Sequence, residues 1–233
     1  MFGAELMLCA AVVRIGPLRQ SFWAVWDRAD GRLYERTTMR RNVVELRAGR
    51  VSVHDAMVNL ELTLEETDGV ETVCPSGRHY AWTRKQGGVP ATGMVEIAGV
   101  RRRLASRAVI DDTAAYYQRH TSWRWSAGVG LAADGRPVAW NLVSGINDPA
   151  RNSERTVWLD GEPSEPVPSV FADDLSGVDG LRFEAEAERE RNENFLIVRS
   201  RYRQPFGTFT GELPGGLELA TGYGVMERHE VWW

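Results

Sequence analysis

The amino-acid sequence predicts an all-β protein, an antiparallel meander that forms a barrel or a strongly curved sheet with very little helix. Two observations predict this class. Asp-Gly and other glycine turn signals recur at short intervals, and Asp-Gly suits hairpin turns because both central residues of a type I′ turn need positive φ. No window of helix length carries an apolar stripe with a 3.6-residue period. The predicted turns are Gly16-Pro17, Asp30-Gly31, Gly49, Asp68-Gly69, Gly87-Gly88, Asp134-Gly135, Asp160-Gly161, Asp179-Gly180 and Gly215-Gly216.

Between these turns lie runs typical of strands, at residues 20–26, 57–65, 93–97, 121–131, 137–143, 156–159, 181–188, 195–203 and 224–233. Residues 183–188 alternate strictly between glutamate and a small or apolar residue, which predicts a strand with one solvated face. Residues 111–120 begin with two aspartates and are expected to form one or two helical turns. Residues 160–180 are rich in Pro, Ser, Asp and Gly and are expected to form a long loop with a short apolar insert at 168–171.

The 233 residues are expected to form one β-barrel-like domain over the whole chain, since barrels of this size are common as single domains. The net charge of −4 disfavours a nucleic-acid partner. The apolar stretch Leu6 to Val13 is too short to span a bilayer, which predicts a cytoplasmic protein without membrane insertion. Cys9 and Cys74 lack the spacing of a metal or redox motif, and we expect neither a metal nor another cofactor.

The basic residues are almost all arginines. Of 28 lysines and arginines, only Lys85 is a lysine. Codon usage in a GC-rich genome explains such an excess more simply than a functional preference for the guanidinium group.

The first candidate site is the segment Tyr116 to Trp125. Strand geometry from His120 onward places His120, Ser122 and Arg124 on one face and Thr121, Trp123 and Trp125 on the other. Tryptophan side chains suit a pocket for an apolar ligand, but they also fill barrel interiors, and the sequence leaves both interpretations open.

The second candidate is the C-terminal strand, where Glu227 and His229 share a face with Val225 and Val231. A carboxylate and an imidazole on an apolar face are suited to acid and base roles. The alternative register makes them a solvent-facing ion pair. A polar segment from Asn141 to Glu154 is expected to be a loop whose side chains orient a ligand, although a loop with this composition is polar in any case.

Four stretches, 108–125, 153–161, 204–211 and 224–229, resemble a bacterial family known as domain of unknown function 2804. The family is similar in general character to calycin proteins, which hold hydrophobic ligands in lipocalin-like barrels and include carotenoid hydratases and tocopherol cyclases. The resemblance implies site residues at Asp111, Tyr117, His120, Trp123, Trp125, Glu154, Trp158, Phe206, Gly207, Glu227 and His229.

Three functional hypotheses follow. The first is a cofactor-free acid/base enzyme of cyclase, hydratase or isomerase type that acts on a hydrophobic small molecule. Its catalytic residues would be Glu227, His229, His120 and Asp111, and its ligand-binding residues would be Tyr117, Trp123, Trp125, Asn141, Glu154, Trp158 and Phe206. The second is a lipocalin-like carrier of a hydrophobic ligand, and the third is a protein-interaction module.

Overall fold

The structure, a computed structural model, describes residues 1–39, 42–195 and 198–233. Within these ranges the regular structure consists of β-strands, and no helix is present. The all-β prediction is therefore confirmed. In chain order the strands β1 to β17 are Leu6–Ile15, Leu18–Asp27, Arg32–Thr38, Val44–Arg47, Arg50–His54, Val58–Leu64, Val70–Ser76, His79–Ile97, Val100–Ala115, His120–Ala132, Pro137–Ser144, Thr156–Leu159, Glu162–Ser164, Gly177–Val178, Gly180–Phe195, Val198–Leu213 and Leu217–Trp232.

The chain packs into two compact units, and it passes from one to the other between β6 and β7, within β8 and within β9. Unit 1 comprises Met1–Thr67 and Val89–Ala108. It contains the three-stranded sheet β1-β2-β3, and strands β4, β5 and β6, which continue onto the second half of β8. The described residues include no helix that is both long and apolar enough to cross a membrane.

Unit 2 comprises Asp68–Gly88 and Val109–Trp233. Its largest sheet has eight antiparallel strands in the order β13-β12-β11-β10-β17-β16-β15-β14. Strand β7 pairs with the first half of β8 in the same unit. The expectation of a single domain over residues 1–233 stays a prediction.

The eight-stranded sheet is open. Among the described residues its two end strands, β13 and β14, each pair with one neighbour and not with each other. Of the two predicted forms, the closed barrel is therefore absent, and the open, curved sheet is the form that the strand pairing allows.

Most predicted turns lie where consecutive strands join. Gly16, Gly31, Gly49 and Gly135 adopt positive φ between paired strands, as the turn signals predict. The prediction of a turn at Gly87-Gly88 is wrong, because both glycines lie inside the continuous strand β8. Gly87 instead permits a close packing contact, since a Cβ atom there would lie 2.1 Å from the Trp158 ring.

The helical turns predicted at residues 111–120 are also wrong. Residues 111–115 continue strand β9, and β10 begins at His120. Strand β9 pairs with β8, and the backbone N–H of Tyr116 still donates to the carbonyl of Tyr80 at 3.1 Å. This non-local partner satisfies the backbone groups that a helix would have satisfied locally.

The two faces of the eight-stranded sheet differ sharply. On one face Trp140, Phe209 and Met226 belong to an apolar core cluster that also includes Phe171 and Leu175 from the predicted loop at 160–180. That region also contains the short strands β13 and β14, so it is less irregular than its composition suggests. The opposite face carries polar and aromatic side chains, and we call it the polar face.

Candidate functional site

Strand register assembles the polar face of unit 2. Strands β10 and β17 pair so that Trp125 lies opposite Glu227 and Trp123 lies opposite His229. Because side chains alternate along a strand, these four residues point to the same face. The predicted alternation in β10 is present, with Thr121 buried and Ser122 exposed.

Glu227 is the buried carboxyl group at the centre of this face. The indole N–H of Trp123 donates to its Oε1 at 2.9 Å, and the side-chain amide of Gln204 donates to its Oε2 at 3.0 Å. Burial raises the pKa of Glu227 to about 7, although hydrogen bonds from Trp123 and Tyr202 act in the opposite direction. The negative charge of Asp111 raises the pKa further, so Glu227 exchanges a proton readily near neutral pH.

A second group of charges lies around Lys85, which is only 2% exposed. Its ammonium Nζ lies 2.6 Å from Asp111 Oδ1 and 3.4 Å from Glu154 Oε2. Burial alone would lower the pKa of Lys85, but the charges of Asp111 and Glu154 raise it above its ordinary value. Lys85 is therefore a permanent cation shared between two carboxyl groups.

The two acidic partners of Lys85 differ in environment. Burial raises the pKa of Glu154, and the charge of Lys85 partly opposes that effect. The Glu154 side chain is 4% exposed, whereas that of Asp111 is 41% exposed. Asp111 is thus the member of the group that solvent reaches.

A chain of amides connects these residues to the tryptophans. The Trp125 indole N–H donates to Asn141 Oδ1 at 2.8 Å, and the Asn141 amide donates to the backbone carbonyl of Glu154 at 2.8 Å. Asn147 donates to both Glu154 Oε2 at 3.0 Å and the Tyr117 hydroxyl at 2.9 Å. Lys85, Asp111, Tyr117, Asn147 and Glu154 are called the lysine cluster below.

Tyr117 is protonated in this setting. Burial raises its pKa to about 12, even though the hydrogen bond from Asn147 and the charge of Lys85 act to lower it. The phenol therefore serves as a neutral hydrogen-bonding group at physiological pH.

The two histidines among the predicted site residues, His120 and His229, lie in different environments. Burial and the positive charge of Arg189 lower the pKa of His229 to about 3, so its imidazole is neutral. Its Nε2 shares a hydrogen bond with the Ser200 hydroxyl at 2.8 Å, and its ring lies 4.4 Å from that of Trp123. His120 is 51% exposed, pairs with Glu230 at 3.0 Å and stacks on Trp232. The structure places His229 beside Glu227 and leaves His120 at the surface.

The remaining predicted residues lie in strands. Asn141 is fully buried inside β11, so the expectation that it begins a loop is wrong. Trp158 lies opposite Ala139 in the β11–β12 pair and packs on Gly87. Phe206 is fully buried and pairs with Val225, on the face that carries Glu227.

Lys85 and Gln204 were not predicted as site residues, although both contact predicted carboxyl groups. The sequence contained one signal for Lys85, its status as the single lysine. Gln204 offered no comparable signal, because only the pairing of β16 with β17 brings it to Glu227.

Among the described residues no group of three or more His, Cys, Asp or Glu side chains is arranged to hold a metal. A cavity of about 220 Å³ lies in unit 1 between Trp23, Tyr34 and Arg36, and its lining contains none of the predicted site residues.

The fold and the site define an all-β, lipocalin-like protein with a buried carboxyl group, that of Glu227, on one face of its largest sheet. The chain belongs to the family described as domain of unknown function (DUF2804), which it matches over residues 5–164. Asp111, Tyr117 and Glu154 lie within that span, whereas Glu227 and His229 lie beyond it. No curated protein matches the sequence.

Among solved structures, the chain is similar to kievitone hydratase from Nectria haematococca, with 12% identity, a TM-score of 0.59, and coverage of 96% of this chain and 83% of that one. An AttH-like protein from Nitrosomonas europaea has 12% identity and a TM-score of 0.49, with coverage of 96% and 85%. CghA with Sch210972 has 12% identity and a TM-score of 0.46, with coverage of 97% and 87%. The first of these similarities supports the lipocalin-like fold.

Proposed function

We propose that this protein is a cofactor-free acid/base enzyme of hydratase, cyclase or isomerase type that acts on a hydrophobic small molecule. One observation carries the proposal: the carboxyl group of Glu227 is buried between the Trp123 indole and the Gln204 amide, and its pKa is raised to about 7. A carboxyl group with such a pKa is protonated often enough to act as an acid and ionised often enough to act as a base.

The proposed first step is proton transfer from Glu227 to a carbon–carbon double bond. The π electrons form the new C–H bond, the O–H bond of Glu227 breaks, and a carbocation remains on the neighbouring carbon. In a hydratase, the oxygen of water then forms the C–O bond. The proton that the added water loses returns to the Glu227 carboxylate, which restores the acid.

The aromatic side chains of the polar face suit such a carbocation. Trp123 and Tyr202 both lie close enough to Glu227 to form hydrogen bonds with it. Their ring faces carry negative electrostatic potential, which attracts a cation without reacting with it. Asp111 contributes through its charge, because it favours the protonated form of Glu227.

The fold agrees with this proposal without assigning a substrate. Kievitone hydratase, whose fold is similar, is a hydratase by name. The hydrophobic nature of the ligand and the absence of a nucleic-acid partner stay predictions, as does the cytoplasmic location. His120 has no role in the proposed steps because it pairs with Glu230 at the surface.

Geraniol is a suitable probe, since it is a small apolar molecule with two trisubstituted double bonds. We expect the wild-type protein to convert it either to a hydrated product 18 Da heavier or to an isomer of unchanged mass, detected by chromatography and mass spectrometry. Glu227→Gln keeps the shape and removes the acid, so it is expected to reduce turnover at least about a hundredfold.

Glu218→Gln, in the same strand β17, is the matched control and is expected to turn over at the wild-type rate. Equal turnover by Glu227→Gln and wild type would refute the assignment of Glu227. Binding of geraniol without any product would instead favour a carrier.

A further inference from the structure

Position 85 carries the single lysine of a chain whose other permanently charged basic residues are all arginines. The protein places arginine at every other basic position, including the buried positions of Arg155 and Arg189. This protein can therefore bury an arginine, so the lysine at position 85 needs an explanation other than its burial. An ammonium group differs from a guanidinium group in being compact and in presenting three donors around one nitrogen.

The lysine cluster has a closed end and an open end. At the closed end, Glu154 Oε2 accepts a hydrogen bond from Asn147 and lies 3.4 Å from the Lys85 nitrogen. At the open end, Asp111 lies 2.6 Å from the same nitrogen while 41% of its side chain is exposed. A molecule arriving from solvent therefore meets Asp111 first, with the Lys85 ammonium directly behind it.

The chemistry of Lys85 favours recognition over covalent catalysis. Its neighbours Asp111 and Glu154 raise its pKa above the ordinary value, so the amine is protonated and cannot attack a carbonyl carbon. A protonated amine beside a carboxylate offers a donor and an acceptor at the same place. A hydroxyl group matches both, since its O–H donates to the carboxylate and its oxygen accepts from the ammonium.

We propose that Lys85 and Asp111 form a recognition subsite for a hydroxyl group on an otherwise apolar substrate. The inference rests on the proposed function, because it concerns how the substrate of the acid Glu227 is held. In this proposal the hydroxyl is held at Asp111, whose charge raises the pKa of Glu227, and the apolar part of the ligand extends to Glu227, Trp123 and Tyr202. The hydroxyl orients the molecule, and the apolar part reacts.

The test uses two probes that differ by one hydroxyl group, geraniol and the hydrocarbon 2,6-dimethylocta-2,6-diene. Tryptophan fluorescence and native mass spectrometry measure their binding to the wild-type protein, Asp111→Asn and Asp112→Asn. We expect wild type to bind the alcohol at least about tenfold more tightly than the hydrocarbon, since the hydroxyl bonds to charged groups. Asp111→Asn should lose most of this preference and keep its affinity for the hydrocarbon.

Asp112→Asn is the matched control, because Asp112 is the exposed neighbour of Asp111 on strand β9 and its side chain points to the opposite face. It should keep the full preference. Equal affinity of the wild-type protein for the two probes, or an unchanged preference in Asp111→Asn, overturns the subsite. If neither probe binds, both the subsite and the proposed function on an apolar ligand are overturned. Loss of turnover in Glu227→Gln does not by itself change the preference for the alcohol over the hydrocarbon, so the two proposals can fail separately.

A second measurement needs no variant. Protein grown with ¹⁵N-labelled lysine gives one side-chain nitrogen signal, because the chain has one lysine. Geraniol should shift the ammonium signal of Lys85 and the hydrocarbon should leave it in place. A signal that responds equally to both probes, or to neither while they bind, contradicts contact between the hydroxyl and Lys85.

Discussion

The two faces of the eight-stranded sheet in unit 2 are made from the same strands and have opposite characters. Trp140 on the apolar face packs edge-on against Phe209 at 5.0 Å between ring centroids, and its N–H donates to Ser126. Trp123 and Trp125 on the polar face donate to Glu227 and Asn141. The indole N–H groups of all three tryptophans are hydrogen-bonded, but Trp140 lies within an apolar cluster, whereas Trp123 and Trp125 bond to a carboxylate and an amide.

This difference indicates where stability and function lie. Burial of apolar area on the first face stabilises the fold, because it removes hydrocarbon from water without leaving charges unpaired. The second face buries the carboxyl group of Glu227, which costs free energy unless that group is neutral, paired or hydrogen-bonded. A carboxyl group with a purely structural role is rarely buried at such a cost. We therefore expect the catalytic chemistry on the polar face.

The largest effect should come from the apolar face. Trp140→Ala removes a fully buried indole, and a Cβ atom on neighbouring Gly128 would lie 2.2 Å from that ring, so the packing there is tight. We expect a loss of about 3–5 kcal/mol in the free energy of unfolding, measured by urea denaturation. Tyr116→Ala, at a 62% exposed aromatic residue, should change stability by less than about 0.5 kcal/mol. Similar losses in both variants would show that this face is not the main core of unit 2.

A second large effect should come from breaking the ion pairs of the lysine cluster. Lys85→Met leaves the buried Glu154 without its cation, and we expect it to lower the free energy of unfolding by about 3 kcal/mol. The double variant Lys85→Met/Glu154→Gln removes the uncompensated charge and should recover part of that loss. Arg136→Met, which breaks an exposed pair with Asp134, should leave the urea midpoint unchanged. Additive losses in the double variant would contradict the pairing.

The sequence predicted much of this contrast because much of it is local. Turn glycines and alternation within one strand depend on neighbouring residues, so the residues that share a face with Trp123 or with Glu227 were predictable. Which face of the C-terminal strand points inward was left open. The continuation of β9 through residue 115 depends on pairing with β8, and the aspartates at 111 and 112 alone suggested a helix start. The contact of Lys85 with Asp111 and Glu154 joins three separate parts of the chain, which no local pattern reports. The single lysine was visible in the sequence, but codon usage gave it a simpler explanation.

A pH experiment sharpens the comparison at Glu227. The pKa of Glu227 is about 7 in the folded protein and 4.5 in the unfolded chain. The folded state therefore binds the proton more tightly than the unfolded state. The resulting stability is fully present below pH 4.5 and is lost as pH rises through 7. Glu227→Gln cannot ionise, and relative to wild type it should gain up to about 3 kcal/mol between acidic pH and pH 8, measured by urea denaturation across that range.

Glu218→Gln is the control for that series, since Glu218 lies in the same strand and its change should leave the pH profile of wild type intact. If the stability of wild type, Glu218→Gln and Glu227→Gln changed by the same amount between pH 4.5 and 7, the pKa of Glu227 would not be raised by folding.

The smallest expected effect concerns one hydrogen bond of the polar face. Trp123→Phe keeps an aromatic ring and removes the N–H that donates to Glu227, a bond that favours the ionised carboxylate and lowers its pKa. We therefore expect the pKa of Glu227 to rise above 7 by about half a unit to one unit, followed by ¹³C NMR of the carboxyl carbon. Trp125→Phe is the matched control, because its N–H donates to Asn141 instead, and it should shift this pKa less. A larger shift in Trp125→Phe than in Trp123→Phe would mean that the amide chain through Asn141, and not the direct bond from Trp123, sets the acidity of the proposed catalytic group.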